Sequence, residues 1–110
     1  MSDDQVVEVT ITAPRTSWLA EFVATLVADR LCAACHLDEI RSLYRWRSMQ
    51  HDEREMRAVL HTRAGLVLKI IDRTNREHPY EVPCVIANPI AGGSSDYLDW
   101  VLAETDSGDL

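Results

Sequence analysis

The chain has 110 residues, 46% of them hydrophobic and 26% charged, with a formal net charge of -7. This is the size and composition of one globular domain with one core, and it excludes a disordered tail, a collagen-like chain and a disulfide scaffold. Eighteen acidic residues against eleven basic ones repel a phosphate backbone, so nucleic-acid binding is excluded too. From the N-terminus, Val7, Val9 and Ile11 alternate with Glu8, Thr10 and Thr12, which predicts a strand over 6–12 with one buried face. Ser17 is placed to cap a helix with Glu21 in its first turn. Trp18, Leu19, Phe22, Val23, Leu26, Val27 and Leu31 recur at helical spacing and carry that helix to about Ala33. Residues 36–47 hold Leu37, Ile40, Leu43, Tyr44 and Trp46 among Arg and Ser and predict a long strand. Residues 48–54 are polar and predict a turn.

Met56, Ala58 and Leu60 alternate with Arg57, Val59 and His61 as a third strand. Thr62 is placed to cap a second helix with the stripe Leu66, Val67, Ile70 and Ile71, which His78-Pro79 stops. Val82 to Ile90 is β-rich, and Pro83 near its start suits an edge strand. Gly92-Gly93 turns the chain, and Ser94 or Ser95 caps a last helix with Tyr97, Trp100 and Val101 on one face. The tail from Thr105 is polar and is expected to fray.

The order is βαββαβ plus a C-terminal helix. It predicts an α+β, ferredoxin-like sandwich: an antiparallel sheet with two helices on one face, in a single domain over residues 1–110. Strands carrying Tyr44, Trp46 and Val59 leave the other sheet face too apolar for water, and self-association is the simplest cover.

No run of about 18 apolar residues is present, so no membrane span is expected. Met1-Ser2-Asp3-Asp4-Gln5 is acidic and lacks the pattern of a secretory signal, so the cytoplasm is the expected compartment. Cys32, Cys35 and Cys84 are an odd count that suits a reducing environment.

Cys32-Ala33-Ala34-Cys35-His36 matches the haem-attachment pattern. Strands follow it, however, and the pair falls at a helix C-terminus, where the dipole raises a thiol pKa. A structural zinc site needs four ligands, and no second C-x-x-C exists. Two small apolar residues at a helix–strand junction are the expectation. His78-Pro79-Tyr80-Glu81-Val82-Pro83 places polar groups between two rigid prolines. There, His78 and Glu81 offer imidazole and carboxylate to a divalent ion, or His78 and Tyr80 simply finish the helix. The aromatic clusters Tyr44-Arg45-Trp46 and Tyr97-Leu98-Asp99-Trp100 suit packing, an interface or a cleft. No nucleophile elbow, phosphate loop or dinucleotide fingerprint appears, so no enzymatic turnover is expected.

Together, Arg30-Leu31-Cys32-Ala33-Ala34, Ser42-Leu43-Tyr44-Arg45-Trp46, His61-Thr62, the His78 to Pro83 block and Asp96-Tyr97-Leu98-Asp99-Trp100 resemble the CutA family of divalent-cation tolerance proteins, over residues 6–104. The resemblance implies a tight homotrimer built by sheet-edge pairing, an architecture similar to the PII signalling proteins, and a link to copper and other divalent cations. It implies His78 as a metal ligand, with Glu81 beside it. The family's further ligand positions are occupied differently: Ile11 and Glu77 stand at two of them, His61 replaces a common Lys and Cys84 a common Glu. His61 and Cys84 are softer ligands than the residues they replace. The resemblance also implies an alternative, a PII-like module that binds a small ligand or partner protein between subunits. Tyr44, Trp46, Tyr80 and Trp100 would line that cleft, with His61, Cys84 and Tyr97 at the cleft or interface.

Overall fold

The computed structural model describes residues 2–106. Its elements run β1 (Val6–Pro14), α1 (Trp18–Ala28), β2 (Ala34–Trp46), β3 (Met49–Arg63), a 3₁₀ turn (Ala64–Leu66), α2 (Val67–Glu77), β4 (Val85–Pro89) and α3 (Ser95–Glu104). The four strands form one antiparallel sheet in the order β2-β3-β1-β4.

The period-two alternation of β1 buries Val7, Val9, Ile11 and Ala13 on one face. Leu19, Phe22, Val23 and Leu26 of α1 and Ile70 of α2 close the core over them, with Ala58 and Leu60 of β3. Glu8, Thr10 and Thr12 point to the opposite face, whose β1–β3 end is reached by α3. This is the expected sandwich with its extra helix.

Five expectations are corrected. Helix α1 ends at Ala28, not Ala33. Arg30 takes a left-handed φ of 61°, its N–H donates to Val27 O, and the Leu31 N–H donates to Leu26 O. That double bond is a Schellman stop built without glycine. Residues 49–54 are strand, not turn. The reversal is confined to Arg47-Ser48, with φ of 52° and 66°, between the paired Trp46 and Met49. Two positive φ values make the turn whose twist fits a hairpin. The charged run stays extended because its side chains pair across strands: Arg41 grips Asp52 through two bonds of 2.8 and 2.7 Å, Tyr44 donates to Glu53 and Arg57 grips Asp38.

Thr62 is a buried β3 residue whose hydroxyl donates to Leu31 O at 2.7 Å, not a helix cap. Strand β4 starts at Val85, so Val82 and Pro83 precede it. Part of the expected frayed tail is anchored: Thr105 is buried, and Asp106 donates its N–H to Arg30 O. The rest of that tail lies outside the described residues.

Strand β1 pairs with β3 only from Glu55 to Arg63. The hairpin therefore continues past the four-stranded sheet as a two-stranded arm, from Arg41 to Arg54. Leu43, Trp46 and Met49 on that arm are exposed, Met49 at 64%.

Candidate functional site

At the root of the arm lies a cleft of about 930 Å³, walled by β2 from Arg41 to Trp46, by Glu53 and Glu55 of β3, and by Tyr80, Glu81, Val82 and Cys84. The loop after α2 is held there by His78. The Nε2–H of His78 donates to Thr12 O at 2.7 Å, and Nδ1 accepts the Tyr80 N–H at 2.9 Å. The ring packs edge-on against Trp18, 4.9 Å between centroids. Burial lowers the His78 pKa from the ordinary value, so the ring is held neutral.

Tyr80 then drops its hydroxyl onto Glu55, donating at 2.8 Å. Glu55 is buried at 5% exposure, and this phenol supplies its hydrogen bond. Burial, reinforced by that carboxylate, pushes the Tyr80 phenol well above its usual range, so it stays a donor. Glu81 turns outward and meets Arg47 of the hairpin turn at 2.7 Å. Tyr44 stacks on His51 at 5.0 Å, and the Arg47 guanidinium sits 5.3 Å over the Trp46 ring.

The structure thus brings Tyr44, Trp46, Tyr80, Glu81 and Cys84 to one cleft. It does not assemble His78 and Glu81 into a metal anchor. Both His78 nitrogens are spent on the protein, Glu81 is paired with Arg47, and among the described residues no three His, Cys, Asp or Glu side chains converge as a ready-made metal site.

His61, Tyr97 and Trp100 lie elsewhere, where α3 crosses the outer face of the sheet. His61 Nδ1 is 2.6 Å from the Tyr97 hydroxyl and Nε2 is 3.1 Å from Glu8 Oε1. The His36 ring stands 5.3 Å from that of His61, and Tyr97 lies against Trp100 at 5.6 Å. The reading of the sequence left Glu8, His36, Arg47 and Glu55 out of any site. Strand register and the turn place them, and neither is marked by a glycine or asparagine in the chain.

Cys32 is buried at the α1–β2 junction and Cys35 is half-buried just inside β2. Burial, then the neighbouring Cys35, pushes the Cys32 thiol up to about 12, and burial pushes Cys35 up to about 11. Both are thiols rather than thiolates at neutral pH, which is how packed cysteines behave.

A four-stranded antiparallel sheet with two helices on one face and a third on the other defines the class: an α+β fold shared with PII-like proteins. The PII-like protein CutA from Nostoc, in its apo form, matches it with a TM-score of 0.85 over 92% of this chain and 98% of that one, at 20% identity, a likeness of fold. The family model of the CutA1 divalent ion tolerance protein matches residues 7–104, and the chain belongs to that family. The divalent-cation tolerance protein CutA of Pyrococcus horikoshii is 36% identical over 83 residues, 76% of this chain and 81% of that protein. The crystal structure of CutA1 from that organism superposes with a TM-score of 0.86 at 32% identity, covering 91% of this chain and 98% of that one. The chain spans about half the length of the bovine and human CutA proteins, 55% of each, at 33% and 34% identity.

Proposed function

We propose that this protein is a homotrimer of the cytoplasm that binds or responds to divalent transition-metal ions such as copper, without catalytic turnover. The observation that carries the reading is the family match across almost the whole chain, together with relatives named for divalent-cation tolerance. The oligomer is supported by the arm, which projects beyond the sheet with Leu43, Trp46 and Met49 exposed, and by the open edges of β2 and β4. The trimeric number follows from the family resemblance. The three unpaired cysteines suit a reducing compartment. The polar groups of the cleft bond to one another rather than presenting a poised nucleophile and base, which suits binding more than turnover.

One observation favours a second reading, a PII-like module that takes a small ligand or partner protein. The cleft beside the arm is large enough for a metabolite, and Tyr44, Tyr80 and Trp46 offer it aromatic walls. Calorimetry separates the two. Saturable heat with Cu²⁺ in the absence of any metabolite supports the first. No binding of Cu²⁺, Ni²⁺ or Zn²⁺, with a tryptophan fluorescence response to a metabolite, supports the second.

A further inference from the structure

We propose that the cleft at the root of the arm takes a small protonated aliphatic amine, its ammonium held by the Glu55 and Glu53 carboxylates and its chain laid against Tyr44 and Tyr80. The proposal rests on the second reading, of the cleft as a small-ligand site, and names the chemistry of its occupant.

The strand pleat gathers the negative charge. Glu53 and Glu55 stand two residues apart on β3, so both leave the same face, roughly 6.8 Å apart along the strand. Their partners on β2 are Ser42 and Ile40, whereas Arg41 and Arg45 stand at the alternate positions, opposite Arg54 and Gln50, and belong to the other face. Each carboxylate carries a tyrosine. Tyr80 donates to Glu55 Oε2 at 2.8 Å, and Tyr44 donates to Glu53 Oε2 at 2.8 Å. The Tyr80 phenol, raised by burial and then by its bond to Glu55, also feels Tyr44 and Glu53, so the four groups form one cluster in the cleft wall.

The cluster lacks a cation of its own. Arg54 is taken by Glu39, Arg57 by Asp38 and Arg47 by Glu81. Glu53 has only the His51 ring, at 3.6 Å, an imidazole that is charged only when protonated. Glu55 is 5% exposed, yet its carboxylate has no ion pair and its Oε1 no hydrogen bond among the described residues. No sealed side-chain oxygen of the described residues lacks a partner, so Oε1 opens onto the cleft that Glu55 lines. A carboxylate drawn out of water without a counter-charge is costly, and a ligand cation that reaches Oε1 offsets that cost.

The walls select an organic cation. Tyrosine rings attract an ammonium through their faces and cover the alkyl chain behind it. A volume of about 930 Å³ holds a small molecule, and an anion would be repelled by the paired carboxylates. A calcium or magnesium ion asks for a fuller cage of oxygens, and among the described residues no three metal-ligating side chains converge there. Two carboxylates on one face suit a diamine, with one ammonium at Glu55 and the other at Glu53.

Calorimetric titration of the full chain with putrescine, butanediol and succinate tests the site, because the three share a four-carbon length and differ in charge. Expected is saturable binding of putrescine alone, weakened at least about tenfold in Glu55→Gln, which keeps the shape and removes the charge. Glu53→Gln is expected to weaken it about two- to fivefold, as suits a half-exposed carboxylate. Wild-type affinity in Glu55→Gln overturns the proposal. Binding of butanediol or succinate in place of putrescine overturns the amine and leaves a small-ligand cleft standing. Silence from all three overturns both. Should Glu55→Gln fail to fold, Glu53→Gln decides alone, and wild-type affinity there overturns the proposal.

Discussion

Removing the His78 ring takes the hydrogen-bond partner from the Thr12 carbonyl and from the Tyr80 N–H in a partly buried place. His78→Ala is therefore expected to cost about 3 kcal/mol of folding stability, read as a lower denaturant midpoint. It is expected to leave copper affinity unchanged, since neither ring nitrogen is free for a metal. A change under 0.5 kcal/mol would contradict the clasp. The ring also sets a pH dependence. Its folded pKa is lowered, chiefly by burial, so the unfolded chain binds this proton more readily. The contribution is complete above the ordinary value of 6.5 and is lost as pH falls below it toward the folded value. Urea midpoints between about pH 7.5 and 5 should fall in the wild type, and less steeply in His78→Gln. Equal slopes would refute that assignment. Tyr80→Phe strips the buried Glu55 of its phenol donor and is expected to destabilise by about 1–3 kcal/mol. An unchanged midpoint would mean that Glu55 finds water instead.

At the scale of elements, the hairpin turn is strained in a way that can be relieved. Ser48 holds a φ of 66°, which glycine adopts without penalty. Ser48→Gly should stabilise the fold by about 0.5–1 kcal/mol, read as a higher denaturant midpoint, and a lower midpoint would show that the turn is not held this way in solution. The same turn explains what was legible in the sequence. The β1 alternation, the apolar stripe of α1 and the His78-Pro79 stop announce themselves by period and by proline, and they suffice for the sandwich. Two of the missed boundaries have one cause. Arg30 and Arg47-Ser48 adopt left-handed backbone without Gly or Asn, so neither carries a composition signal. The charged run from Asp52 to Glu55 looks like a solvated turn until its cross-strand partners are known. For the sites, the Tyr44, Trp46, Tyr80 and Cys84 side of the cleft was visible as local blocks of sequence. The neighbours of His61 were not, because Glu8 and His36 meet it only through strand register.

The whole molecule measures 43 × 26 × 24 Å, and its length reflects the arm. A two-stranded ribbon is marginal alone in water, and one that exposes Leu43, Trp46 and Met49 gains most from being covered by copies of the same chain. The double variant Trp46→Ser with Met49→Ser is expected to weaken that association, with lighter particles in sedimentation at micromolar concentration. An undiminished assembly would place the interface elsewhere. The central claim, a metal-binding assembly of three copies, is tested most directly by native mass spectrometry during a Cu²⁺ titration. The account predicts a particle of three 12.5 kDa chains that takes up one copper per chain. A lone 12.5 kDa chain, or a trimer that retains no copper, would contradict it.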